Sequence, residues 1–373
     1  MANAALSALS QVGTSTWLDD LSRQRLSSGD LAELIKDYAV VGVTTNPAIF
    51  SSAMTAGEDY DEQLAELAKG DATPAEAVFD MAIDDVRNAC DLFDDVYEAT
   101  DGADGRVSIE VDPRLADDYD ATITQARQLW QRVGKRGAMI KIPATDASLP
   151  AVSDAIAEGI SVNVTLIFSV GRYEQVVDAF LTGLERAKAA EIDLSTIHSV
   201  ASLFVSRVDT EIDSRLEEIG SEEALALRGK AGLANARAAY AHFEEVFSET
   251  SERWARLAAD GAHPQRLLWA STGVKNPAYA DTLYVTELAA PRTVNTMPEK
   301  TLRAAAAFEG DIVDAVSGQG AAAQEVINQL YAVGIDIADV FEVLEREGVE
   351  KFVDSWNGLL ESIKGRMEQL KAQ

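Results

Sequence analysis

Lys141 carries the clearest chemical signal in the chain. It stands in Ala138-Met139-Ile140-Lys141-Ile142-Pro143, one amine inside an otherwise apolar run. Burying an ammonium costs several kcal/mol unless it is paired or loses its proton. A desolvated lysine amine is a nucleophile suited to forming an imine with a carbonyl. The same segment also fits a strand-end lysine whose head reaches water, so the surrounding residues decide. Asp19, in Trp17-Leu18-Asp19-Asp20-Leu21, and Glu110, in Val107-Ser108-Ile109-Glu110-Val111, are carboxylates for proton transfer. Thr44, Asn46, Asn163, Thr165, Ser202 and Ser271 bring amides and hydroxyls that match sugar hydroxyls. Arg207 and Lys275 bring positive charge for a phosphate. Each has an ordinary explanation by itself: a helix cap for Asp19, a turn for Asn46-Pro47, a surface ion pair for Arg207. Together they make a set fitted to imine-forming aldol chemistry.

Such a set needs a scaffold that brings distant segments to one place. Eight runs read as strands: 15–19, 40–46, 106–111, 138–143, 161–168, 197–204, 266–271 and 293–297. Helical periodicity fills the intervals at 30–38, 74–97, 114–133, 149–158, 170–190, 209–219 and 279–288. Interleaved strands and helices imply a parallel sheet, and eight units imply an α/β (β/α)₈ TIM barrel. A doubly wound open sheet is the alternative; no G-x-G-x-x-G or phosphate-loop motif follows a strand to support it. Side-chain parity predicts which face enters the barrel. Ser108 and Glu110 share one face, as do Met139 and Lys141, and Thr44 and Asn46. Asn163 and Thr165 oppose Val162, Val164 and Leu166, while Leu267, Trp269 and Ser271 oppose Leu268 and Ala270. The polar parity is expected inside, late in each strand, where barrel active sites lie.

The whole chain, 1–373, is expected to form one domain, with the barrel over about 13–310. Residues 4–12 read as a leading helix, 221–260 as a helical insertion, and 321–373 as a helical tail that follows Gly318-Gln319-Gly320. The tail's Val326, Leu330, Val333, Ile335 and Ile337 are expected to pack on the barrel or on a partner; oligomeric state is left open. The chain has 32 Lys and Arg against 62 Asp and Glu, a net charge of −30. That field disfavours nucleic acid and anionic membrane as partners. No apolar stretch is long enough for a membrane span or signal peptide, so a cytoplasmic location is expected. Cys90 is the only cysteine, expected to be a packed thiol. His198, His242 and His263 lack metal or triad spacing, and neither a metal nor a cofactor is expected.

Six stretches in this order resemble the transaldolase family, in its long bacterial form. They are Trp17-Leu18-Asp19-Asp20-Leu21-Ser22, Gly42-Val43-Thr44-Thr45-Asn46-Pro47, Arg106-Val107-Ser108-Ile109-Glu110-Val111-Asp112, Ile140-Lys141-Ile142-Pro143-Ala144-Thr145, the run from Ser161 to Ser169, and that from Ser199 to Arg207. The resemblance covers roughly 13–308. It implies transfer of a dihydroxyacetone unit from sedoheptulose 7-phosphate to glyceraldehyde 3-phosphate in the pentose phosphate pathway. It further implies Lys141 as the Schiff-base residue, Asp19 as the base at the C4 hydroxyl, and Glu110 as a proton shuttle acting through water. Asn46, Asn163 and Thr165 would orient the ketose and the water; Ser202 and Arg207 would join the phosphate site. The chain departs from many relatives by offering Lys275 where they place a second arginine, and Leu203 and Ser206 where they have proline and glycine. A related fructose 6-phosphate aldolase is the first alternative, but those relatives tend to carry tyrosine where Phe204 stands. A non-catalytic sugar-phosphate-binding protein on the same barrel is the second.

Overall fold

The computed structural model describes residues 3–70 and 72–371. Eight parallel strands close in chain order: β1 Thr14–Leu18, β2 Val40–Val43, β3 Arg106–Glu110, β4 Ala138–Pro143, β5 Val162–Ile167, β6 Ser199–Phe204, β7 Arg266–Ala270 and β8 Thr293–Met297. Closure joins β1 to β8, with Thr14 opposite Thr293 and Leu18 opposite Met297. Helices cover the outside, so the strands are buried on both faces. Val107, Ile109, Ile140, Ile142, Val162 and Val164 join the core beneath the helices. Trp17, Met139, Val200, Leu268 and Val294 form a second apolar cluster. Gly42 on β2 answers the bulk of Trp17: a Cβ there would lie 2.6 Å from the indole.

Two parity assignments need correction. On β7, Leu267 and Trp269 belong with the outer core, whereas Leu268 and Ala270 belong with Trp17 and Met139. Trp269 faces outward and donates its Nε1 hydrogen to the Leu288 carbonyl. On β5, Leu166 leaves the face of Val162 and Val164 and packs with Phe168. The cause is local: Leu166 has φ 58° and Ser271 φ 54°. A residue in the left-handed region breaks strand alternation, so period two fails at that residue.

Some predicted helices are also shorter. Residues 74–97 divide at the fully buried Phe93 into Pro74–Leu92 and Asp94–Ala99. The 114–133 run begins with a 3-10 turn, Pro113–Leu115, before Tyr119–Val133. Of 279–288 only Leu283–Thr286 is helical, and Tyr279 instead donates its hydroxyl hydrogen to Asp213 at 2.5 Å.

The tail is two helices, Gly320–Ala332 and Ile337–Lys371, separated where Gly334 adopts φ 98°. That left-handed residue ends the first helix, and Ile335 N–H returns to the Leu330 carbonyl. The longer, C-terminal helix buries Val340, Leu344, Gly348, Phe352, Trp356, Leu359, Ile363 and Met367. Their spacing of three or four makes one apolar stripe. Gly348 lets the helix approach the end of β5, since a Cβ would lie 3.1 Å from the Phe168 ring. Arg172 pairs with Glu345 at 3.1 Å, Arg215 with Asp339 at 2.6 Å and Arg366 with Asp61 at 2.5 Å. Surface pairs of this kind contribute about 0–1 kcal/mol each, whereas a buried large side chain contributes about 1.5–3 kcal/mol. The stripe therefore holds the helix and the ion pairs orient it. Among the described residues no helix is long and apolar enough to cross a membrane.

Candidate active site

Strand register sets Glu110 beside Lys141 and Lys141 beside Asn163. Lys141 is 4% exposed. Its Nζ donates to the Thr45 carbonyl at 3.0 Å and lies 3.2 Å from Glu110 Oε2. The carboxylate contact is close in charge but poorly aligned, so Glu110 Oε2 is buried without a hydrogen-bond partner. Burial pushes Glu110 up to about 7; Lys141 pulls against that shift, and Asp19 adds slightly to it. Asp19 is also raised by burial, against the pull of Lys141 and of the Thr44 hydrogen bond. Thr44 Oγ1 donates to Asp19 Oδ1 at 2.6 Å and lies 2.6 Å from Thr296 Oγ1.

A second polar chain runs through β5. Asn163 Nδ2 donates to Ser108 Oγ at 3.1 Å, while Ser202 Oγ donates to Asn163 Oδ1 at 2.7 Å. Thr165 Oγ1 is buried and unpartnered. Buried polar atoms without partners cost about 1–3 kcal/mol each. Their concentration around one amine is therefore a destabilising feature that a bound ligand or water would relieve.

A cavity of about 190 Å³ opens beside these groups. Asp19, Thr44, Asn46, Lys141, Thr165 and Ser202 supply its polar wall. Phe204 and Phe352 are its aromatic members, and Arg207, Ser271 and Lys275 its hydroxyl and cationic members. Glu110 and Asn163 lie outside that lining; Glu110 faces a narrow crevice with Phe79 and Trp356. Asn46 also caps the helix Pro47–Thr55 by accepting from Ile49 N–H at 3.0 Å, so its ordinary role is a helix cap in place of the expected turn, alongside its place in the cavity. Ser271 reaches the cavity through its left-handed backbone, not through strand parity, and its Oγ is 2.9 Å from Ser206 Oγ.

Arg207 is packed over Phe204, its guanidinium carbon 5.1 Å from the ring centroid. Its Nη1 is buried without a partner, and burial pushes the group's proton affinity down. Neither Arg207 nor the exposed Lys275 forms an ion pair among the described residues, in a chain of net charge −30. An unpaired, partly dehydrated guanidinium is a ready site for an oxyanion.

A match over almost the whole chain decides what this geometry belongs to. Residues 16–363 match the family model described as Transaldolase/Fructose-6-phosphate aldolase. Among curated proteins, one named Transaldolase from Mycolicibacterium smegmatis is 62% identical over 370 residues, 99% of either chain. Those from Mycolicibacterium paratuberculosis and Mycobacterium tuberculosis, with the same name, are 61% and 59% identical over 98% of either chain. The chain belongs to the transaldolase/fructose-6-phosphate aldolase family. It is an enzyme, a transaldolase-type transferase on a (β/α)₈ barrel.

Sequence reasoning missed three contributors to this transaldolase-family site. Thr45 faces β3 with its hydroxyl, on the Ser108 carbonyl at 2.7 Å, and Lys141 with its own carbonyl. Thr296 sits on β8 at the parity of Val294, a visible alternation that could have been used. Phe352 comes from the C-terminal helix, and a lone phenylalanine on an amphipathic helix carries no signal of its own. Groups outside the cavity behave as packed material. Cys90 is buried and its thiol is pushed up to about 12. His198 is stacked on His263 at 4.3 Å and pushed down to about 2 by burial.

Proposed function

We propose that this enzyme transfers a dihydroxyacetone unit from sedoheptulose 7-phosphate to glyceraldehyde 3-phosphate in the cytoplasm, through an imine on Lys141. Erythrose 4-phosphate and fructose 6-phosphate are the products. The observation that supports it best is the buried Lys141 amine, which touches Glu110 on one side and on the other lines a cavity shared with Asp19 and the unpaired Arg207.

The division of labour follows from position. Lys141 Nζ adds to the ketose C2 carbonyl. Glu110, titrating near neutrality, passes a proton through water to the departing hydroxyl, leaving the iminium. Asp19 takes the C4 hydroxyl proton; the C3–C4 bond breaks, its electrons pass into the iminium, and an aldose phosphate leaves. The three-carbon enamine stays on Lys141 until the acceptor aldehyde adds, and Asp19 returns the proton to the new hydroxyl. Thr44 holds Asp19, while Asn46, Asn163 and Thr165 orient the sugar and the water. Arg207, helped by Lys275 and Ser202, takes the phosphate, and Ser271 lines the same cavity. Phe204 presents no hydroxyl to aid enamine protonation, which favours transfer over cleavage. Residues 1–373 act as one unit, because Phe352 of the tail lines the cavity.

The test is a borohydride trap with fructose 6-phosphate, followed by turnover with and without erythrose 4-phosphate. The expected outcome is covalent mass on the wild type and none on Lys141→Ala, with ping-pong turnover only when acceptor is present. Rapid dihydroxyacetone release without acceptor would make it an aldolase; no trapped adduct at all would make it a binding protein.

A further inference from the structure

The cavity of a transferase that works through a tethered enamine has two tasks. It must admit an aldehyde and keep water from the enamine carbon. The strands supply only part of the wall for the second task. Phe204 stands on β6, in contact with Phe168 at 5.2 Å between centroids and covered by Arg207. The other aromatic wall is Phe352, from the C-terminal helix. It is 5% exposed, and its ring centroid is 5.7 Å from Lys141 Nζ.

The helix that carries Phe352 is built to stay in place. One turn before it, Gly348 meets Phe168 and Leu166. One turn after it, Trp356 packs on Phe79 with centroids 5.1 Å apart and closes the crevice beside Glu110. The left-handed φ of Leu166 directs that side chain to the contact with Gly348. Phe352 is thus held between two close contacts on the stripe, with no polar atom of its own to offer. An apolar ring so near an amine does nothing for binding a polyhydroxylated sugar by hydrogen bonds. What it can do is exclude solvent at the nitrogen and the carbons attached to it.

Resting on the transaldolase reading, we propose that Phe352 determines the reaction's specificity by shielding the Lys141 enamine from water, so that the C-terminal helix sets the ratio of transfer to hydrolysis. The competing path is fully defined. The enamine nitrogen lone pair pushes through the C=C bond, and the terminal carbon takes a proton from water to regenerate an iminium. A second water adds at the iminium carbon and gives its surplus proton to the hydroxide left by the first. The hydroxyl proton of the resulting carbinolamine passes to nitrogen as the C=O bond forms and the C–N bond breaks towards nitrogen. Lys141 and free dihydroxyacetone then separate with the net use of one water. No oxidant, reductant or co-reactant beyond water is required.

The experiment measures this partition in the full-length chain. Free dihydroxyacetone formed from fructose 6-phosphate is divided by sedoheptulose 7-phosphate formed when erythrose 4-phosphate is present. Phe352→Ala is expected to raise the ratio by about tenfold or more, because a void opens beside the enamine and fills with water. In D₂O its released dihydroxyacetone should carry one deuterium, the mark of enamine protonation. Phe352→Leu, apolar and nearly as large, should stay within about threefold of wild type, with Phe352→Gln well above it. The Leu and Gln pair also decides the matter if the Ala variant fails to fold. A ratio unchanged in Gln, with transfer merely slowed, overturns the proposal and leaves Phe352 a packing residue. Failure of the transaldolase reading looks different: the unmutated protein would then form no trapped adduct or no transfer product.

Discussion

The two ends of the barrel are polar in opposite ways. At the N-terminal end of the strands, Asp104 accepts from Ser15 Oγ at 2.7 Å, Trp17 Nε1 at 2.9 Å and Arg266 Nη2 at 3.0 Å. Arg266 also donates to Ser15 Oγ at 2.9 Å, so the group forms a closed network. At the C-terminal end, Glu110 Oε2, Thr165 Oγ1 and Arg207 Nη1 are buried without hydrogen-bond partners, with Lys141 Nζ 3.2 Å from the carboxylate. Both ends bury charge and both leave some polar atoms unpartnered, Arg106 Nη2 and Gln265 Oε1 at the first end among them. The difference lies in the carboxylates, since Asp104 accepts three hydrogen bonds and Glu110 Oε2 none. The contrast shows where stability is invested and where it is given up for a ligand, since satisfied polar groups support a fold and unsatisfied ones weaken it. It also yields an ordered set of measurements, because the two ends should respond oppositely to substitution.

The largest effect is expected at Lys141. Lys141→Met should abolish turnover, yet shift stability by no more than about 1 kcal/mol, since Glu110 left behind can remain neutral near pH 7. Urea unfolding checks this, and a loss of several kcal/mol would erase the distinction between the ends. Glu110→Gln and Asp19→Asn should each lower kcat by about 10²–10⁴ while unfolding at wild-type urea concentrations or above. Asp104→Ala should do the reverse. Removing the acceptor shared by Trp17 and Arg266 should cost about 3–5 kcal/mol by the same unfolding measurement, with kcat unchanged at a temperature where the variant is folded.

Arg207→Ala should raise KM for fructose 6-phosphate about 10- to 100-fold and alter dihydroxyacetone use far less. Lys275→Ala should have the smaller effect, as an exposed point charge. Equal changes for phosphorylated and unphosphorylated substrates would remove Arg207 from the phosphate contact. The smallest effect concerns pH. Glu110 titrates near 7 in the fold against an ordinary 4.5, with Lys141 and Asp19 facing it. Its neutral form therefore favours the folded state; that contribution is complete below pH 4.5 and is lost as pH rises through 7. Glu110→Gln should flatten the wild type's decline in unfolding midpoint between pH 5 and 8, and an unaltered slope would place the titrating group elsewhere.

All eight strands were legible because apolar alternation and helical intervals are local signals. The convergence of Asp19, Thr44, Lys141 and Thr165 was legible for the same reason, once the barrel was inferred. Legibility ended where the backbone leaves regular dihedrals. Parity misassigned Leu166 and Ser271, the two strand-end residues with positive φ, and misread the face of Trp269. It also ended with tertiary contact. The tail reads as amphipathic in sequence, but nothing in that pattern says that Phe352, more than two hundred residues from Lys141, lines the same cavity. The break at Gly334 was equally hidden, because a single glycine within helical periodicity has several ordinary uses.

The order of synthesis gives the C-terminal helix a further meaning. The barrel has all its strands once Met297 has been made, and every strand-borne group of the cavity is then in the nascent chain. Phe352 and Trp356 arrive later: at about 5–20 residues per second, the last turn of the helix follows β8 by roughly 4–15 seconds. During that interval the Lys141 amine belongs to an open vessel, and the apolar surface around Leu166, Phe168 and Phe79 awaits its cover. A helix so late in the chain is thus a clock as well as a wall. Closure of the cavity therefore waits on synthesis of the segment that carries Phe352 and Trp356.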